Sequence, residues 1–159
     1  MSQVYSLAQV SVTIESKKFG NISFGGNGVM LGSVQYSWDA APFQRLAKSA
    51  DGGSVVSHNG YKGGTISIAL NQASNVIANL IDLCLKCRQD PANASLTLHI
   101  DDGEGLGNID IDGIDGFVTT IPNFTYQTGN VSNRTFVFDC GELVDNTISK
   151  KSTLGATNA

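Results

Sequence analysis

The chain has 159 residues, 41% of them hydrophobic, enough for one domain with its own core and too few to expect two. Only 15% are charged, against about 25% in average globular proteins, and the net charge is −4. Such a polar, weakly charged surface argues against a protein that grips nucleic acid by neutralising phosphates.

The opening MSQVYSLAQVSV lacks the basic start and apolar run of a signal peptide, and no apolar stretch reaches the length of a membrane span, so neither is expected. Val10, Val12 and Ile14 alternate with Ser11, Thr13 and Glu15, the period of a strand with one buried face. Lys17 to Gly20 reads as a turn, and Ile22 and Phe24 as a second short strand ended by the glycines Gly25, Gly26 and Gly28. From Val29 to Trp38 a longer strand is predicted, with Val34, Tyr36 and Trp38 on one face and Ser33, Gln35 and Ser37 on the other. Residues 39–64 show no apolar periodicity and form a long loop or hairpin, with Phe43, Leu46, Val55, Val56 and Tyr61 as the apolar content that could dock on something.

Thr65 to Asn71 is a clean strand, with Ile66, Ile68 and Leu70 toward the core and Thr65, Ser67 and Ala69 away from it. One stretch, Ser74 to Asp90, reads clearly as a helix. Val76, Ile77, Leu80, Ile81, Cys84 and Cys87 line one face, and Asp82, Lys86 and Arg88 fall on the other. Ser74 is the expected N-cap, Lys86 and Arg88 suit the dipole's negative end, and Asp90-Pro91 stops the helix. A lone amphipathic helix must lie across a sheet to bury its stripe. Leu96, Leu98 and Ile100 mark another strand, residues 101–116 one or two Asp/Gly-rich turns, and Phe117 to Ile121 a strand broken at Pro122 and continued by Phe124 and Tyr126. Thr135 to Leu143 makes a final strand, and residues 146–159 a polar tail expected to be mobile.

An enzyme is hard to assemble from these residues, and no catalytic residue or cofactor site is assigned. The two histidines, His58 and His99, accompany no nucleophile elbow, phosphate loop or zinc-binding helix. His99, between Leu98 and Ile100, belongs on a strand's outer face. The three cysteines, Cys84, Cys87 and Cys140, read as reduced core residues of a protein made in the cytoplasm. The Cys84–Cys87 pair lacks the second pair a zinc site needs. Asn108, Asp110, Asp112 and Gly113 match the opening of a calcium loop, but Thr119 stands where a bidentate Glu is required, so a solvated loop is expected and no metal. Gly26-Asn27-Gly28 has Leu31 in place of the third glycine of a dinucleotide loop and is read as a turn.

The second faces of the strands carry Ser, Thr, Gln and Ala where monomers usually place charges that discourage edge pairing. They suit sheets that continue into a neighbouring subunit, or a passage where strong charge is unwelcome.

The order of these features resembles the tail tube proteins of tailed bacteriophages, particularly the small tubes of contractile tails and related injection devices. The resemblance rests on the opening YSLAQVSVTIES, the turn and long strand FGGNGVMLGSVQYSWD, the loop ending GYKGGTISIALNQAS, the helix NVIANLIDLCLKC and the terminal NRTFVFDCGEL, and extends to Leu143. It implies a mainly β, antiparallel sandwich or barrel-like fold over residues 1–145, with one flanking helix at about residues 75–88. It also implies six copies closing into a ring and rings stacking into a hollow tube. Carried onto this sequence, Ser33, Gln35, Ser37, Thr65 and Ser67 would face the lumen, and Arg45, Lys48, Asp51, His58 and Lys62 would contact the adjacent ring. The implied role is a virion structural protein, assembled in the host bacterial cytoplasm, through which phage DNA passes without specific binding. The implied partners are the sheath, tape measure, baseplate and terminator proteins. No acidic ring is evident at the lumen positions. Two alternatives stand beside it: the tube of a phage-tail-like injection or secretion device, and, in a different class, a carbohydrate-binding β-sandwich module using Tyr36, Trp38 and the Asp/Gly loop.

Overall fold

The computed structural model describes residues 10–25, 31–101, 110–123, 129 and 132–146. The alternation at the start of the chain becomes β1 (Ser11–Ser16), with Val12 and Ile14 fully buried. Ser16 Oγ accepts the Phe19 N–H at 3.1 Å in the turn to β2 (Gly20–Gly25). β3 (Leu31–Trp38) follows. The stretch without periodicity is a hairpin, β4 (Phe43–Lys48) and β5 (Ser54–His58), forming its own two-stranded sheet. β6 (Gly64–Asn71), α1 (Val76–Gln89), one 3-10 turn at Pro91–Asn93, β7 (Leu96–Asp101), β8 (Asp110–Thr120) and β9 (Asn133–Asp145) complete the described chain.

Seven strands join in one antiparallel sheet in the order β2-β1-β7-β8-β9-β6-β3, so β2 and β3 are its edges. One core holds both ends of that sheet together. Val12 and Ile14 from β1, Leu96, Leu98 and Ile100 from β7, Ile66, Ile68 and Leu70 from β6, and Phe136 and Phe138 from β9 pack in one cluster with α1. At about 1.5–3 kcal/mol per fully buried large aliphatic or aromatic side chain, this cluster is the main favourable term in folding. Gly113 on β8 leaves the room it needs, since a Cβ there would stand 2.8 Å from Ile66 Cδ1 and 2.7 Å from Cys140 Sγ.

The helix closes the core with Ile77, Leu80, Leu83, Cys84 and Cys87, while Val76 and Ile81 are only half-buried at the margin. Its start differs from expectation. Asn75 is the N-cap and makes no side-chain cap bond, while the buried Ser74 accepts the Val76 N–H at 3.4 Å from one position earlier. The far end is tied to the β1–β2 turn by the Lys18–Asp90 ion pair at 2.5 Å. All three thiols are free and buried. Burial pushes Cys84 up to about 12 and Cys140 to about 11, so neither is a poised nucleophile.

The Asp/Gly-rich run departs from the turns expected over residues 101–116. From Asp110 onward it is strand, in register with β7 on one side and β9 on the other. Asp110 and Asp112 therefore point to one face of a sheet and cannot wrap an ion as a calcium loop does. Asp115, at φ 56°, marks the bulge that lets this strand bend, and its carboxylate accepts the Ser95 hydroxyl at 2.7 Å. The expected strand residues Phe124 and Tyr126 and nearly all of the 146–159 tail lie outside the described residues.

Candidate assembly surfaces

Three surfaces of the folded chain stand out by what they expose. The first is the outer face of β3 and β6. Strand register sets Gln35 opposite Ser67, Ser37 opposite Thr65 and Ser33 opposite Ala69, so the five residues expected to face a passage share one side of one sheet. The face continues onto β9, where Thr135, Val137 and Asp139 stand opposite Ala69, Ser67 and Thr65, and onto β8, where Phe117 stands opposite Asp139. Sequence reasoning missed these last residues. The alternation of Thr135, Val137 and Asp139 against Phe136, Phe138 and Cys140 was the signal that could have found them. Asp139 brings a carboxylate to this face, and Thr65 Oγ1 donates to Asp39 Oδ1 at 3.1 Å beside it. The face is thus polar on β3 and β6, with a local acidic character at Asp139 and apolar Val137 and exposed Phe117 toward β8.

The second surface is the core-side face of β3. Val34, Tyr36 and Trp38 share this face, as their alternation predicts. Val34 packs on the core, but Tyr36 is 37% and Trp38 47% exposed, since they lie toward the end of an edge strand and no strand among the described residues covers them. Burial, reinforced by the charge and hydrogen bond of Asp145, raises the Tyr36 hydroxyl above its ordinary pKa.

The third surface is the hairpin. Its neck is fixed to the body. Asp39 N donates to Gly63 O at 3.1 Å, Asn59 N to Pro42 O at 2.9 Å, and Leu143 N on β9 to Lys62 O at 2.9 Å. Beyond the neck, Phe43 (64%), Leu46 (61%), Val55 (58%) and Val56 (50%) are bare. The residues expected to make polar contacts are largely occupied within the hairpin. Arg45 donates to the Ser54 hydroxyl, Asp51 accepts from Ser49 and from the Gly53 N–H, and the His58 ring lies 5.1 Å from that of Phe43. Those bonds, first to Ser49 and then to Gly53, hold the Asp51 carboxyl below its ordinary range. Lys48 ends β4, and Lys62 lies at the neck with its side chain in solvent. What the hairpin offers outward is apolar surface on two strands that could not hold together alone. Between neck and body, Trp38, Pro42, His58, Tyr61 and Lys62 line an open cavity of about 580 Å³.

Among the described residues, no helix is long and apolar enough to cross a membrane. No protein-family model matches the chain, and no curated protein sequence matches it significantly. Its fold does match solved structures. A chain of the sheath–tube complex of an extracellular contractile injection system, PVC, in the extended state aligns with TM-score 0.56 at 12% identity, covering 89% of this chain and 90% of that one. A chain of the sheath/tube terminator of the same kind of system aligns at 0.55 and 11% identity, covering 91% and 98%. The tube-terminating cap of the anti-feeding prophage aligns at 0.51 and 10% identity, covering 91% and 92%. The chain has the tail-tube-like fold of such assemblies, mainly antiparallel β with one flanking helix.

Proposed function

We propose that this chain is the tube-forming structural subunit of a phage-tail-like contractile injection device, with no catalytic role. The observation that carries the reading is the alignment, over about nine-tenths of both chains, with components of contractile injection assemblies. The surfaces of the single chain support it. Two sheet edges unpaired among the described residues, a Tyr36 and Trp38 that no described strand covers, and an apolar hairpin on a fixed neck are what a subunit leaves for its neighbours. Copies join edge to edge into a six-membered ring, and the hairpin reaches the next ring, with Phe43, Leu46, Val55 and Val56 supplying the contact and Arg45, Lys48, Asp51, His58 and Lys62 shaping and rimming it. Ser33, Gln35, Ser37, Thr65 and Ser67, joined by Thr135 and Asp139, line the lumen. A lining without cations holds no polyanion and lets cargo slide. A sheath, baseplate, tape measure and terminator are the corresponding partners.

The tail tube of a phage virion, passing DNA, is the second reading and uses the same surfaces. Negative-stain electron microscopy beside light scattering tests the shared claim. Rings or tubes with a central hole are expected. A monodisperse monomer at high concentration would reject it and favour a carbohydrate-binding module using Tyr36 and Trp38, both exposed on β3.

A further inference from the structure

The outer face of β7 and β8 carries a cluster of ionisable side chains to which the proposed tube role assigns nothing. In the strand register His99 stands opposite Asp112 and Asp101 opposite Asp110, so one imidazole sits among three carboxylates on a two-strand platform. Directly opposed like charges weaken an antiparallel pair, and a protonated His99 would offset only one of the three. The imidazole is oriented. His99 Nδ1 is hydrogen-bonded to Asp112 Oδ1, which turns Nε2 toward Asp110 Oδ1, 3.7 Å away. A carboxylate on one ring nitrogen fixes the tautomer and leaves the other nitrogen's lone pair for a metal, the order found around metal-bound histidines. The carboxylates are held in turn, since Asn146 donates its Nδ2–H to Asp112 Oδ2 at 3.1 Å and its backbone N–H to the Asp110 carbonyl at 2.8 Å. One donor atom from each of His99, Asp110 and Asp112 lies within 4.8 Å of the other two. The Asp110 side chain is 16% exposed and that of His99 41%, a sheltered floor with an open side where water could complete a coordination shell.

We propose that this cluster binds a divalent transition-metal ion of the zinc and cobalt class. His99 Nε2 and Asp110 are its ligands, Asp112 orients the imidazole, and Asp101 contributes charge. An imidazole ligand favours this class over calcium and magnesium, which take oxygen donors. The ion replaces repulsion between β7 and β8 with a cross-link at the end of the strand pair.

The test is titration of the full chain, stripped with EDTA, with Co²⁺ in excess Mg²⁺ while visible absorption is recorded. A saturable spectrum with one ion per chain, reversed by Zn²⁺, is expected. His99→Gln abolishes it with the circular dichroism spectrum unchanged, Asp112→Asn weakens it about 10- to 100-fold, and His58→Gln leaves it intact. Three results would each overturn the proposal: no saturable signal, a titration indifferent to His99→Gln, or a thiolate charge-transfer band pointing to the cysteines instead.

Discussion

Gly64 shows how tightly single positions are set. It lies between Trp38 on β3 and Cys140 on β9, where the hairpin's neck returns to the sheet. A Cβ there would meet the Leu143 side chain and come within 2.5 Å of the Ser37 carbonyl oxygen. Leu143 can rotate away in part, but a backbone oxygen held in the β3–β6 ladder cannot. Gly64→Ala is therefore expected to destabilise the chain by about 1–3 kcal/mol, the usual cost of overpacking. Urea denaturation measures it as a lower midpoint at unchanged slope. The same change at Gly60, where an added Cβ would meet nothing within 4 Å, serves as the control and should move the midpoint little.

Elements with one buried face are the most legible in the sequence, and those without one are read only in part. β1, β6, β7 and α1 each place apolar residues at the period of their own geometry against a single core, so periodicity finds them. Periodicity leaves residues 39–64 open between a long loop and a hairpin, because the register puts Phe43, Arg45, Val56 and His58 on one face while Val55 and Leu46 fall elsewhere, with a bulge between. Neither side meets this chain's core, so no alternation was selected. The first half of β8 escapes because Asp and Gly read as turn formers, and only pairing with β7 and β9 makes that stretch strand. The five face residues on β3 and β6 were found from alternation, but their continuation onto β9 needed the strand order. The hairpin's independence from the core has a consequence. Replacing residues 40–63 with a short Gly-Ser linker should leave the seven-stranded body folded, with a near-native thermal transition, because Phe43, Leu46, Val55 and Val56 contribute no core packing. The same variant should form no long tubes by electron microscopy. Long tubes from it would remove the hairpin from the contact between rings.

At the scale of the proposed tube, any residue on the lumen would be repeated around every ring and along every ring of the stack, so small changes in charge would multiply. Gln35 is exposed, sits mid-strand opposite Ser67 and makes no contribution to the core, which makes it the cleanest place to add one charge. In a lumen-facing position, Gln35→Lys would turn a lining with weak acidic character into rings of ammonium groups, and phosphate binding with release of counterions would follow. Tubes of the variant should retain single-stranded DNA in a pelleting assay at low salt and release it as salt rises, while wild-type tubes retain none at either. Arg88, on the exposed side of α1, offers the matching control on a different surface, since Arg88→Gln should leave retention unaltered. Equal retention by Gln35→Lys and wild-type tubes would place β3 away from the passage and require another strand face to line it. Loss of tubes altogether in the variant would instead put Gln35 at a subunit contact, where a buried lysine without a partner opposes closure of the ring.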